Sequence, residues 1–88
     1  MYTLSRMSDK AGDSGSICNL LWEEDGEFKV EYHGRPRVGV AVMVGSSVTR
    51  TMQYQDWWQT SYITEILEDN ETYIKFKTQN SIYEWFIA

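Results

Sequence analysis

The residues best suited to chemistry cluster between Val48 and Leu67, in the run V-T-R-T-M-Q-Y-Q-D-W-W-Q-T-S-Y-I-T-E-I-L. Arg50 offers a planar guanidinium fork that matches a phosphate. Tyr54, Trp57 and Trp58 offer faces on which a nucleobase can stack, an interaction worth roughly 1–3 kcal/mol per base. Thr51, Thr60, Ser61 and Thr64 supply small hydroxyls, and Gln55 an amide, in the same stretch. Asn80 and Ser81, at a later hairpin tip, add groups suited to a base edge or a ribose. A plain core strand needs neither this polarity nor two adjacent indole donors, because buried polar groups must each find a partner. The chemistry these types suit is therefore recognition of a small polar ligand with a flat ring. Successive strand residues point to opposite faces. One of Trp57 and Trp58 thus belongs to the core, and the other faces solvent, a subunit or a ligand.

Catalytic signatures do not appear. The sequence has no nucleophile elbow, no phosphate-cradling glycine loop with its lysine, and no Cys/His cluster at metal-ligand spacing. The carboxylates gather at expected turns, Glu23, Glu24 and Asp25 in one and Glu68, Asp69 and Glu71 in another, where they solvate hairpin tips. General acid–base work needs a positioned and tuned pair, and nothing nominates one. The single histidine, His33, follows Tyr32 in an alternating strand and reads as an exposed bystander. The chain reads as a binder and not an enzyme, with no metal site and no cofactor.

The elements that must position these residues are strands. Glu27 to His33 alternates Phe28, Val30 and Tyr32 with charged neighbours, a half-buried pattern of period two, entered through the turn signal Asp25-Gly26. Arg37 to Val44 places Val38, Val40, Val42 and Val44 on one face and Gly39, Ala41 and Met43 on the other. Ile17 to Trp22 is an apolar run too short for its period to separate strand from helical turn. After the long polar connection, strand pairing resumes near Trp58 and runs to Leu67. The segments Thr72 to Thr78 and Ile82 to Ile87 follow, with Ile74 and Phe76 inward. Gln79-Asn80-Ser81 makes the last turn, asparagine being tolerant of positive φ, so that Asn80 serves the turn, a ligand or both. These segments predict a mainly β domain: a small barrel or bent antiparallel sheet of five or so strands, with a C-terminal meander and a long polar loop. Residues 17–88 form that single domain, and residues 1–16, polar and Gly/Ser-rich after Met7, form an N-terminal arm that caps it or reaches a neighbouring subunit.

Composition narrows the partners. The 88 residues suffice for one thin-walled domain, and a 42% hydrophobic fraction with 15% aromatics excludes wholesale disorder. A chain this small often supplements its core by self-association, which makes a homo-oligomer the expectation. Thirteen acidic against eight basic residues give a net charge of −5, which works against duplex nucleic acid because that binding depends on Lys/Arg neutralising phosphates. An anionic ligand must instead be held locally, by Arg50 with Arg35 and Arg37 in reserve. The lone cysteine, Cys18, forms no internal disulfide and is expected to be a buried inert thiol. No apolar segment suggests a leader or a membrane span.

The blocks R-T-x-x-Y-Q-D-W-W-Q-T-S-x-I-T-E-I-L-E and K-T-Q-N-S-I-Y-E-W, preceded by G-x-P-R-V-G-V and V-G-S, resemble a widespread family of small proteins from tailed phages and prophages. The resemblance runs from about Gly34 to Trp85. It implies an immune-evasion protein of the anti-CBASS type: a sponge that sequesters, without cleaving, a cyclic nucleotide signal of antiphage defence in the cytoplasm of the infected host. Carried over residue by residue, it points to Arg50, Thr51, Tyr54, Gln55, Trp57, Trp58, Thr60, Ser61, Lys77, Thr78, Asn80 and Ser81. Two other classes fit the residues as well. One is a protein-targeting inhibitor of a host defence enzyme, acting through acidic tips or exposed aromatics. The other is a small virion or assembly component joined through sheet edges.

Overall fold

A computed structural model describes residues 1–46 and 57–88. Among these residues nine antiparallel strands run in chain order: β1 (Tyr2–Arg6), β2 (Gly12–Gly15), β3 (Ile17–Glu24), β4 (Glu27–Tyr32), β5 (Ala41–Gly45), β6 (Trp57–Gln59), β7 (Ile63–Asp69), β8 (Tyr73–Thr78) and β9 (Ile82–Ile87). They form a five-stranded sheet, β2-β1-β9-β8-β7, and a four-stranded sheet, β4-β3-β5-β6. The expected mainly β, bent antiparallel architecture with a C-terminal meander is present, without closure into a barrel.

The chain passes between the sheets at two corners. At Ser16 it leaves β2 and enters β3 after one residue. There the backbone of Gly15 lies so close to Gly45 that a Cβ on Gly15 would stand 1.9 Å from the Gly45 carbonyl oxygen. At the other corner the backbone continues pairing past β6: Thr60 N donates to Val42 O, Ile63 N to Val40 O and Gly39 N to Ile63 O, at 2.8–2.9 Å. The Thr60 hydroxyl takes part in this bend, accepting from Val42 N at 3.1 Å and donating to Ser61 O at 2.7 Å. Strands that change sheets through such bends are how near-orthogonal sheets make their corners.

The strand registers assign each inner face. Leu4, Trp85 and Ile74 align across the first sheet, and Tyr83 with Phe76 behind them. Cys18, Val44 and Trp58 align across the second, beside Leu20 and Val42. Together these make one core in which most members are under 5% exposed. Two indoles bridge the layers. Trp85 Nε1 donates to Cys18 Sγ at 3.3 Å, and Trp58 Nε1 to Tyr83 Oη at 3.3 Å, so each buried donor has its partner. Arginines cover the indoles from outside: Arg6 lies 5.1 Å from the Trp58 ring centre, Arg37 5.1 Å from Trp22 and Arg35 5.5 Å from Trp85, within cation–π range.

Three expectations are corrected. Residues 1–16 are not an arm: β1 lies inside the first sheet between β2 and β9, and Leu4 is 1% exposed. Pairing with a strand more than 75 positions away overrides a composition that by itself reads as flexible. In β4, Phe28, Val30 and Tyr32 face outward, at 64%, 39% and 71% exposure, because its register on β3 sets Glu31 and Lys29 opposite Leu20 and Trp22 and leaves Val30 opposite Leu21 on the outer face. The valine strand is shorter than expected: it begins at Ala41, after Gly39 at φ 94°, which leaves Val38 exposed and Val40, Val42 and Val44 buried. The Asp25-Gly26 turn is as expected, with both residues at positive φ (52° and 78°) between the paired Glu24 and Glu27, the geometry of a two-residue hairpin loop.

Candidate functional site

The outer face of the second sheet carries a cleft of about 670 Å³, well within the roughly 300–1,000 Å³ typical of small-ligand sites. Its floor is Leu21 and Ala41, paired across β3 and β5 on the side away from the core. Phe28, on the edge strand, closes one side. The other side is the corner where the chain leaves β6: Gln59, Thr60, Ser61 and Tyr62, backed by Thr64 and Gln79 from the first sheet. The corner is rigid for the reason given above, since Thr60 fills the backbone bonds that the bend would otherwise leave unmade. Thr64 Oγ1 is likewise tied to Lys77 O at 3.1 Å.

A second cleft of about 470 Å³ adjoins it, lined by Met7, Ser8, Lys77, Asn80, Ser81 and Ile82, with Gln79 shared between the two. Among the described residues, the first is lined by two aromatic rings, apolar carbons, amides and hydroxyls, with no charged side chain. The second holds a lysine. An apolar, ring-lined slot beside a cationic one suits a ligand with a flat heterocycle at one end and negative charge at the other.

The structure sorts the sequence-derived residues unevenly. Thr60 and Ser61 line the first cleft, and Lys77, Asn80 and Ser81 the second. Thr60 is 4% exposed and its hydroxyl is committed to the backbone, so its role is to hold the wall and not to reach a ligand. Thr78, at 2% exposure, closes the β8–β9 turn with Ser81 and is structural too. Asn80 does not take the positive φ expected of it; among the described non-glycine residues Lys10, Asp25 and His33 do. Trp58 is the inward member of the tryptophan pair, half-buried and packed against the core, and Trp57 faces outward at 45% exposure. Trp57 shares the cleft's face but pairs with Gly45, away from the Ala41–Leu21 floor. Arg50, Thr51, Tyr54 and Gln55 lie outside the described residues. The reserve arginines are occupied: Arg35 binds Asp69 at 2.6 Å and the carbonyls of Asn70 and Glu71, and Arg37 binds Glu31 at 3.2 Å.

Sequence reasoning missed Phe28, Tyr62, Gln59 and Gln79 as site residues. The Gln/Thr/Ser-rich setting around Trp57 was the available signal for the corner. No sequence signal identified Phe28, whose alternation is equally consistent with either face.

Displaced pKa values often mark functional sites, and here each has a local structural cause. Burial pushes the Cys18 thiol up to about 11, despite the hydrogen bond it accepts from Trp85. The Arg6 guanidinium, bonded to both carboxylate oxygens at 2.6–2.9 Å, and the Ala11 amide hold Asp9 down at about 2. Desolvation, then the hydrogen bond to Glu84, pushes Tyr73 up to about 12. None of the three lines either cleft. Among the described residues, no three His, Cys, Asp or Glu side chains converge as a metal site, and no helix is long and apolar enough to cross a membrane.

The fold and site thus define a small bent β-sandwich with a ligand-sized cleft at a corner between its sheets. Compared with family models, with curated proteins and with solved structures, the chain matches none.

Proposed function

We propose that the protein is a stoichiometric nucleotide binder, a sponge that holds a small nucleotide signal without cleaving it. The observation that carries this reading is the cleft of about 670 Å³, with aromatic walls and uncharged polar groups, joined at Gln79 to a neighbouring slot that holds Lys77. A base lies between Phe28 and Tyr62, with Gln59 and Gln79 at its edge, and the phosphate is directed towards Lys77, Asn80 and Ser81. The resemblance to small phage immune-evasion proteins supports a cyclic nucleotide of antiphage defence as the ligand and the infected host's cytoplasm as the setting. Capture alone suffices for such a role, because holding the signal below the level its effector needs requires no chemistry.

The test is a calorimetry and thermal-shift panel of cyclic di- and trinucleotides and cyclic ADP-ribose isomers. The expected result is a large shift with one ligand that is recovered intact after the protein is denatured. Tyr62→Ala should then weaken binding by about 5- to 150-fold, the equivalent of one lost base stack at roughly 1–3 kcal/mol. No shift with any member, or ligand returned hydrolysed, rejects the proposal.

A further inference from the structure

A strand at the edge of a sheet presents backbone groups that its own sheet leaves unpaired, and proteins normally blunt such edges. Among the described strands, two edges are blunted, β2 and β7. β2 is a four-residue strand, Gly-Asp-Ser-Gly, with no apolar side chain. β7 carries two register breaks, between Ile63 and Glu65 and between Ile66 and Glu68, along with exposed Glu65, Glu68 and Asp69. β4 is different. Its six residues, Glu27–Tyr32, contain no glycine or proline and keep an unbroken register with β3. Its outer face is an exposed apolar row: Phe28, Val30 and Tyr32.

We propose that β4 is a homodimer interface, in which the edge strands of two copies pair antiparallel about a two-fold axis at Val30. The sequence E-F-K-V-E-Y is self-complementary about that residue. Opposed residues in an antiparallel pair share a face, so an axis at Val30 sets Val30 against Val30 of the second copy. Phe28 then meets Tyr32 of the second copy, twice over. On the opposite face Lys29 meets Glu31 of the second copy, again twice. Within one copy Lys29 pairs with Glu27 at 2.9 Å and Glu31 with Arg37 at 3.2 Å, but the Lys29 and Glu31 side chains stay 41% and 46% exposed, and exposed ion pairs of this kind exchange or share partners at little cost. Every facing pair is thus aromatic with aromatic, aliphatic with aliphatic or cation with anion. Moving the axis to Lys29 or Glu31 forfeits this, because Lys29 or Glu31 then faces its own like charge.

The pairing has a consequence at the cleft. Phe28 is one of its walls, so Tyr32 of the second copy stands beside that wall and extends it. The dimer does not depend on the nucleotide reading, and its test uses no ligand.

Cross-linking reads the axis directly. Across the axis, Val30 faces its own copy at a Cα separation of about 4.5–5.5 Å, inside the roughly 4.4–6.8 Å that a disulfide spans. Mild oxidation of Val30→Cys should therefore give a single covalent dimer, whereas Lys29→Cys and Glu31→Cys, each offset from its own copy, should not. Cys18 is fully buried and does not compete. Sedimentation of the wild-type chain over a dilution series should show a reversible monomer–dimer equilibrium. Val30→Lys, which sets two ammonium groups face to face, should raise its midpoint concentration at least ~tenfold, about 1.4 kcal/mol, with an unchanged far-ultraviolet spectrum. A wild-type chain that stays monomeric throughout overturns the proposal. So does a dimer indifferent to Val30→Lys, or cross-linking as efficient at Lys29→Cys as at Val30→Cys.

Discussion

Gly15→Ala tests whether the two sheets meet as described. The added Cβ would stand 1.9 Å from the Gly45 carbonyl oxygen, 2.2 Å from its carbonyl carbon and 2.7 Å from Ser46 N. Ordinary contact begins near 3.4 Å, so β2 and β5 must part by about 1.5 Å at the corner where the chain changes sheets. All three obstructing atoms are backbone, and no rotamer change relieves them. Overpacking where side chains can adjust costs about 1–3 kcal/mol; a backbone obstruction belongs at the top of that range, about 3 kcal/mol. At 4–8 °C per kcal/mol for a domain of this size, the melting temperature should fall by roughly 12–24 °C. Against a total stability of roughly 4–13 kcal/mol, that is a large loss. The assay is thermal and urea unfolding followed by circular dichroism, with Gly26→Ala alongside. Gly26 sits at φ +78° with nothing within 4 Å of its missing Cβ, so that change carries only the roughly 1–2 kcal/mol of a left-handed alanine. If Gly15→Ala costs no more than Gly26→Ala, the close approach of β2 to β5 is wrong, and with it the corner that anchors the strand leading into the cleft wall.

Other perturbations probe single contacts. Thr60→Val keeps the shape but leaves Val42 N without its acceptor, and should cost about 1–3 kcal/mol in urea unfolding; Ser61→Ala, at an exposed position, should change stability by less than about 0.5 kcal/mol. Cys18 should react with a thiol reagent only as fast as the protein unfolds, and rapidly in denaturant, because its thiol is buried with a pKa of about 11. The same group binds its proton more tightly folded than unfolded. Its contribution to stability is therefore complete below about pH 9 and is lost as pH rises to about 11, a decline that Cys18→Ala should remove from the pH profile. Asp9 has the opposite sign: its folded pKa lies below its ordinary 3.8, so its contribution is present above pH 3.8 and lost as pH falls towards 2. Because Asp9 is exposed, added salt should shrink that acid-side loss, and Asp9→Asn should abolish it.

Much of the architecture is legible in the residues themselves. Alternation in Ile74 and Phe76, in Val40, Val42 and Val44, and around the Asp25-Gly26 turn is enough to define strands and a hairpin, because the pleat has period two and the turn demands positive φ. The tryptophan pair had to split between core and surface for the same reason, and it does, with Trp58 inside and Trp57 outside. Alternation alone leaves open which of two faces is covered. Phe28, Val30 and Tyr32 look like core in the sequence, and only the register of β4 on β3, which sets Val30 opposite Leu21 on the face away from the core, turns them outward. Residues 1–16 look like an arm because their partner, β9, lies at the far end of the chain, and no local signal encodes a contact so distant. The cleft is a tertiary object in the same way. Leu21, Phe28, Ala41, Tyr62 and Gln79 come from five separate segments, brought together where one strand bends from sheet to sheet. Periodicity fixes which side chains share a face, and long-range pairing alone decides what that face meets.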